Sequence, residues 1–214
     1  LYQLLKPCQS LFKLSKMKQP DLENFVGIHN RKYCDGGQCI RLYKTFMKKK
    51  DPEAANIVMG HNEEDLLGLG TIFSLLAYKK LYDGEYHPKQ CVILEQELKI
   101  VIELSAAAPV NVSCGNSDFY LSVNGYEARM LVHLKEGKLR QYYRNYKDYE
   151  FIPGEDTAMP KSITRYMDKS LKIATTPQTC YTWFNCDEDF LNNEKKQMQY
   201  LTHTLPFFLD NLNK

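Results

Sequence analysis

Residues 57–78 read IVMGHNEEDLLGLGTIFSLLAY, and His61-Asn62-Glu63-Glu64-Asp65 within them decides how the rest of the chain is understood. Leu66, Leu69, Ile72, Phe73 and Leu76 recur at helical spacing, so a helical segment is predicted from about residue 52 to 83. His61 and Asp65 are four residues apart and stand one above the other on one face. Gly68 falls on nearly the same stripe. Gly68 and Gly70 each cost a helix about 1 kcal/mol relative to alanine, and glycines in such places mark close packing or a crowded site. A carboxylate, an imidazole and bare backbone on one face suit a hard divalent metal and a phosphate. They also suit an ordinary helical turn. Glu64 points elsewhere on the helix and reads as solvated.

The stretch 57–78 resembles the last motif of the YprB-type ribonuclease-H-like exonucleases, a branch of the four-carboxylate (DEDD-type) 3′→5′ exonucleases. The resemblance extends upstream through LYQLLKP (1–7), MKQPDLENFVGI (17–28) and DGGQCIRLYKTFMKKKDPEA (35–54). Downstream, SCGNSDFYLSVNG (113–125), YRNYKDYEFIPGEDTAMPKSI (143–163) and ATTPQTCYTW (174–183) are similar to a C-terminal extension found in some members. The family resemblance implies an α+β chain: the helical C-terminal half of a ribonuclease-H-like α/β domain over 1–88, then a small antiparallel-sheet-plus-helix domain over 89–214. It implies phosphodiester hydrolysis on single-stranded DNA or RNA with two Mg²⁺ or Mn²⁺ ions, which in such sites lie about 3.5–4 Å apart. It makes Asp65 the last metal-binding carboxylate. It gives His61 a catalytic role, orienting water or touching a phosphate, and puts Asn62 near the nucleic acid. Asn62 can equally bond the backbone at a helix irregularity.

The same resemblance places three further carboxylates before the final helix, two of them as Asp-x-Glu on a first strand. They are expected upstream of Leu1 or on a separate chain. Asp21-Leu22-Glu23 has that spelling, but Pro20 precedes it, and proline followed by acids is a common helix opening. Asp187-Glu188-Asp189 reads as a helix-capping turn, and Glu155-Asp156 follows the turn signature Pro153-Gly154. One helical aspartate cannot hold a metal pair, so the chain alone is not expected to be an active nuclease.

Composition bounds the rest. The chain has 214 residues, 43% of them hydrophobic, enough for one large or two small domains. A net charge of +2 is too small to declare a polyanion partner, so nucleic-acid binding has to rest on local patches. No stretch has the roughly 18 consecutive apolar residues of a membrane span, and the opening residues lack a signal peptide's layout. Seven cysteines without a framework argue for reduced thiols and a cytoplasmic protein. Cys34 and Cys39, with His29 nearby, admit a zinc reading, but their spacing is wide and no second pair completes it.

Along the chain, helices are predicted over about 2–14, 21–28 and 38–49, the turn Asp35-Gly36-Gly37 opening the third. Ile40, Leu42, Tyr43, Phe46 and Met47 mark the apolar face of the third, and Lys48-Lys49-Lys50 closes it. After Gly84 the character changes. Residues 91–106 read as a strand, and Asn124-Gly125 and Glu136-Gly137 as hairpin turns. A short helix is expected over 162–168, and another over 188–209 that breaks or ends near Pro206.

Between 140 and 149, Tyr142, Tyr143, Tyr146 and Tyr149 interleave with Arg140, Arg144 and Lys147. Rings can stack on bases while cations meet phosphates, which makes Arg140, Tyr143, Arg144, Tyr146 and Lys147 candidate nucleic-acid contacts. A strand and turn with packed tyrosines accounts for the same pattern. Two functions from different classes follow. One is part of a divalent-metal 3′→5′ exonuclease; the other is a catalytically silent module that binds nucleic acid or a protein.

Overall fold

The computed structural model describes residues 1–29, 31–33 and 36–212. Cys34 and Asp35, half of the cysteine pair and the start of the expected turn, lie outside the described residues. The chain divides into two compact units, Leu1–Leu76 and Ala77–Lys214.

The first unit is helical. Instead of one helix over 2–14, α1 (Tyr2–Leu5) passes through a 3-10 turn, Lys6–Cys8, into α2 (Gln9–Phe12). Pro7 is the reason: it has no N–H to give and crowds the carbonyl four residues back. Lys13, at φ 56°, then ends α2 in the left-handed region. α3 (Gln19–Phe25) starts where Asp21 turns back to accept from the Lys18 N–H at 2.9 Å, confirming an ordinary helix opening for Asp21. Gly27, at φ 92°, stops the chain beyond it.

α4 (Gly36–Lys49) and α5 (Pro52–Ile72) follow. Asp51 caps α5 through the Glu53 N–H, with Pro52 at the first helical position. A 3-10 turn, Phe73–Leu75, separates α5 from α6 (Leu76–Asp83), so the long helical segment is interrupted once. Leu5, Leu11, Phe12, Met17, Leu22 and Ala54 are buried, with the Phe12 and Phe25 rings 4.9 Å apart. The apolar face read on α4 is present, but Ile40, Tyr43 and Met47 on it are exposed.

The second unit is antiparallel sheet plus helix, which makes the whole chain α+β. β1 (Tyr86–Leu94), β2 (Glu97–Gly115) and β3 (Phe119–His133) form one sheet. The strand read over 91–106 is therefore two strands joined at Glu95-Gln96, where Glu95 takes φ 56°. Asn124-Gly125 is not a hairpin turn. It lies inside β3, opposite the irregular stretch of β2 between Glu103 and Val112, and Gly125 at φ 54° serves the distortion. The actual turn is built by Asn116, whose side-chain oxygen accepts from Asp118 N (3.0 Å) and Phe119 N (2.9 Å). Glu136-Gly137 does turn the chain from β3 into β4 (Lys138–Tyr142).

β4 pairs with β8 (Tyr181–Asn185), and β5 (Tyr149–Ile152) lies between β6 (Thr157–Pro160) and β7 (Ile173–Ala174). α7 shrinks to Lys161–Thr164. The last helical region breaks at Asn192-Asn193 rather than at Pro206: α8 is Glu188–Leu191 and α9 is Glu194–Asp210, with Pro206 inside it. Asp187 caps α8 through Phe190 N at 3.0 Å, as its sequence suggests.

Alternation along β2 and β3 buries Leu98, Ile100, Ile102, Leu121, Met130 and Val132. α9 buries Tyr200, Leu201, Leu205 and Phe208, and its Phe207 stacks on Tyr142 at 3.7 Å. Among the described residues, no helix is long and apolar enough to cross a membrane.

Candidate functional site

The candidate site of the first unit is a clasp between α3, α5 and the segment 31–33. α5 places His61 and Asp65 one turn apart, with His61 Nε2 3.4 Å from Asp65 Oδ2. The other oxygen, Oδ1, lies 2.7 Å from Arg31 Nη2. Arg31 also grips Glu23 with two bonds, Nε to Oε2 at 2.7 Å and Nη2 to Oε1 at 2.8 Å. Gln19 completes the arrangement, donating to Glu23 Oε1 (2.9 Å) and to the Asp65 carbonyl (2.8 Å).

Electrostatics set the strength of each link. Glu23 is 2% exposed, and a buried carboxylate persists as an ion only when paired and hydrogen-bonded. The Arg31 fork holds its carboxyl below the ordinary value, outweighing the upward push of burial. The same bonds raise the Arg31 pKa further. Glu64, read as solvated, instead accepts from the backbone N–H groups of Lys32 (2.8 Å) and Tyr33 (3.3 Å). Two consecutive acids of α5 therefore fasten the segment that carries Arg31.

The glycines explain themselves here. A Cβ on Gly68 would run into the Glu23 carboxylate, and one on Gly60 into the Tyr33 ring. Gly70 has open space around it and needs no such account. His61 is 8% exposed, and its Nδ1 is buried without a hydrogen-bond partner among the described residues. Asn62 is exposed on α5.

What can this arrangement do? Asp65 is the partly open carboxylate, and His61 can give or take a proton beside it. A metal ion at Asp65 would have to compete with a guanidinium already on Oδ1. Among the described residues no three His, Cys, Asp or Glu side chains converge as metal ligands. The donors present do not fit a two-metal site by themselves. Arg31 and Glu23 are the members that sequence reading missed. The glycine stripe on α5, which marks a close approach by some other element, was the available signal.

In the second unit the structure disperses the aromatic–basic segment. The Arg140 guanidinium carbon lies 4.7 Å from the Tyr181 ring centre and 4.6 Å from that of Trp183. Tyr143 stacks on Tyr149 at 5.1 Å, and its hydroxyl sits between Gln141 (2.8 Å) and Thr182 (3.1 Å). Arg144 donates to the Tyr82 hydroxyl (2.6 Å) and to Asp210 (3.2 Å). Burial, then the Asp210 bond, pushes the Tyr82 hydroxyl up to about 12. Tyr146 and Lys147, in a 3-10 turn over Tyr146–Asp148, instead line an open groove with Lys161, Lys169 and Lys172. Cys180 and Cys186 are buried thiols, each pushed up to about 11 by burial.

No curated protein and no solved structure matches this chain. The comparison with protein families does give a match, and it falls on the unit that carries the clasp: residues 1–77 match the model of the RNase_H superfamily, a nuclease-type fold.

Proposed function

We propose that the chain is part of a divalent-metal-dependent nuclease, a 3′→5′ exonuclease on single-stranded DNA or RNA, with Asp65 as its last metal-binding carboxylate. The observation that carries this reading is the position of Asp65: mid-helix in the segment matching the RNase_H superfamily, partly exposed, with His61 buried one turn before it. Mg²⁺ or Mn²⁺ would act there once further carboxylates, from another segment or a separate chain, meet Asp65. Exposed Ile40, Tyr43 and Met47 on α4, with Met59, Leu66 and Leu67 on α5, leave apolar surface for such a body to cover. His61 would then handle a proton or a phosphate oxygen beside Asp65, and Asn62 would meet the strand. Cytoplasmic location accords with the thiols.

Asp65→Asn in the intact protein tests the reading. The expected outcome is loss of Mg²⁺- or Mn²⁺-dependent release of nucleotides from a 3′-labelled single strand, with folding retained by circular dichroism. Unchanged turnover would remove Asp65 from the mechanism.

A second reading, a silent module that binds nucleic acid or a protein, is favoured by one observation. The Arg31 guanidinium already neutralises Asp65 at 2.7 Å. Binding of single strands without any hydrolysis in the intact protein would select it.

A further inference from the structure

The groove of the second unit collects cations from three separate elements. Lys147 comes from the 3-10 turn before β5, Lys161 opens α7, and Lys169 opens the 3-10 turn Lys169–Leu171. All three are exposed, and none forms a salt bridge among the described residues. The one carboxylate in the groove, Glu150, is already engaged by Lys172 at 2.9 Å and by the Thr164 hydroxyl. Against four lining lysines the described lining residues offer one carboxylate, so the groove keeps a surplus of positive charge. Like charges repel, by up to about 1 kcal/mol for a close pair in water, and a single carboxylate, engaged by Lys172, offsets only part of that repulsion.

The scaffold under these lysines is fixed. The Thr175 hydroxyl donates to the carbonyls of Tyr146 and Tyr149, the latter at 2.9 Å. Asp168 caps the turn of Lys169 through Ser170 N at 2.8 Å. Tyr146 is half-buried along one side, and exposed Ile173 supplies apolar surface. Cations on the rim, a ring at the side and a volume of 560 Å³ open to solvent match a thread-like polyanion with flat apolar groups. A membrane surface would call for a protruding apolar face rather than a concave one.

We propose that this groove is a track for single-stranded nucleic acid, in which Lys147, Lys161 and Lys169 contact successive phosphates and Tyr146 takes a base. The proposal rests on the nucleic-acid part of the function above and adds the site that holds the strand away from Asp65.

The test is fluorescence anisotropy of labelled dT15 and rU15 against the full chain at several salt concentrations. The groove variant is Lys147→Gln/Lys161→Gln/Lys169→Gln. The control is Lys44→Gln/Lys48→Gln/Lys49→Gln on α4, with the same charge change. The groove variant should lose affinity by about tenfold or more, with its salt slope lowered by about 2, since each phosphate contact on a single strand contributes about 0.7. The control should bind as wild type does. Equal losses in both variants, no loss in the groove variant, or no oligonucleotide binding by the wild type overturns the proposal. So does binding of phosphatidylserine vesicles, but not oligonucleotides, that the groove variant loses. Asp65→Asn in the intact protein, assayed alongside, separates the two claims. Retained anisotropy with lost hydrolysis leaves the groove standing apart from the chemistry, whereas unchanged hydrolysis in Asp65→Asn sinks the catalytic reading and leaves the groove result intact.

Discussion

Glu23 and Gly68 form the decisive pair of the first unit, because the carboxylate occupies the space that any side chain at residue 68 would need. Gly68→Ala gains about 1 kcal/mol of helix propensity. It also forces Glu23 aside and loosens the Arg31 fork, and disturbing a buried charged hydrogen bond costs about 1–3 kcal/mol. The second effect outweighs the first, so Gly68→Ala is expected to lower the urea midpoint. Gly70→Ala meets nothing within 4 Å on an exposed helical face, so it should raise the midpoint, through a stability gain of up to about 1 kcal/mol. Equal shifts for the two alanines would mean that Glu23 does not sit against α5. At this scale the sequence was half legible. The glycine stripe announced a close approach, but its partner did not. Arg31 lies in an irregular segment where no periodicity constrains it, and Glu23 looked like one more acid of a helix opening.

Elements were legible where local chemistry decides them and obscure where tertiary pairing does. Asp187 caps α8 where the sequence puts it. Asp51 before Pro52 and Gly27 after α3 bound their helices by equally local chemistry, although Gly27 falls inside the helix read over 21–28. Asn124-Gly125 carries a strong hairpin signal, yet long β2 and β3 pair past it and absorb the pair as an irregularity. Glu95 carries no turn signal and still adopts φ 56°, because strand register dictates the reversal. Pro206 stays within α9, where the buried face of Tyr200, Leu201, Leu205 and Phe208 outweighs a lost backbone bond. The β3–β4 turn offers a test of this balance. Glu136 and Gly137 both have positive φ, and Lys135 and Lys138 exchange backbone bonds of 3.1 and 3.0 Å around them. That geometry favours Asn-Gly. Glu136→Asn should therefore stabilise the protein by about 0.5–1 kcal/mol in urea denaturation. A neutral or negative shift would show that Glu136 makes up for its backbone strain elsewhere.

Across the whole molecule, the paired acids set how stability responds to pH. Glu23 in the first unit is held below its ordinary value of 4.5, first by the Arg31 bonds. Its contribution is fully present above 4.5, because there both folded and unfolded chains carry the charge. Below 4.5 the unfolded chain takes up a proton first, so the contribution declines until pH passes the lowered folded value. His203 in the second unit is lowered from 6.5 by burial, its ring 5.2 Å from that of Tyr143. The unfolded chain again binds the proton first, and stability falls as pH drops through 6.5 toward the folded value. Acid should therefore weaken the second unit before the first. Melting curves from pH 8 to pH 3 are expected to show loss beginning near 6.5 and steepening below 4.5. Glu23→Gln should be less stable than wild type at pH 7, because Arg31 loses its buried counter-charge. It should lose less on acidification, so the two proteins converge toward pH 3. Parallel curves that never converge would mean that the Glu23 charge contributes nothing, and that the clasp around Asp65 is held by shape alone.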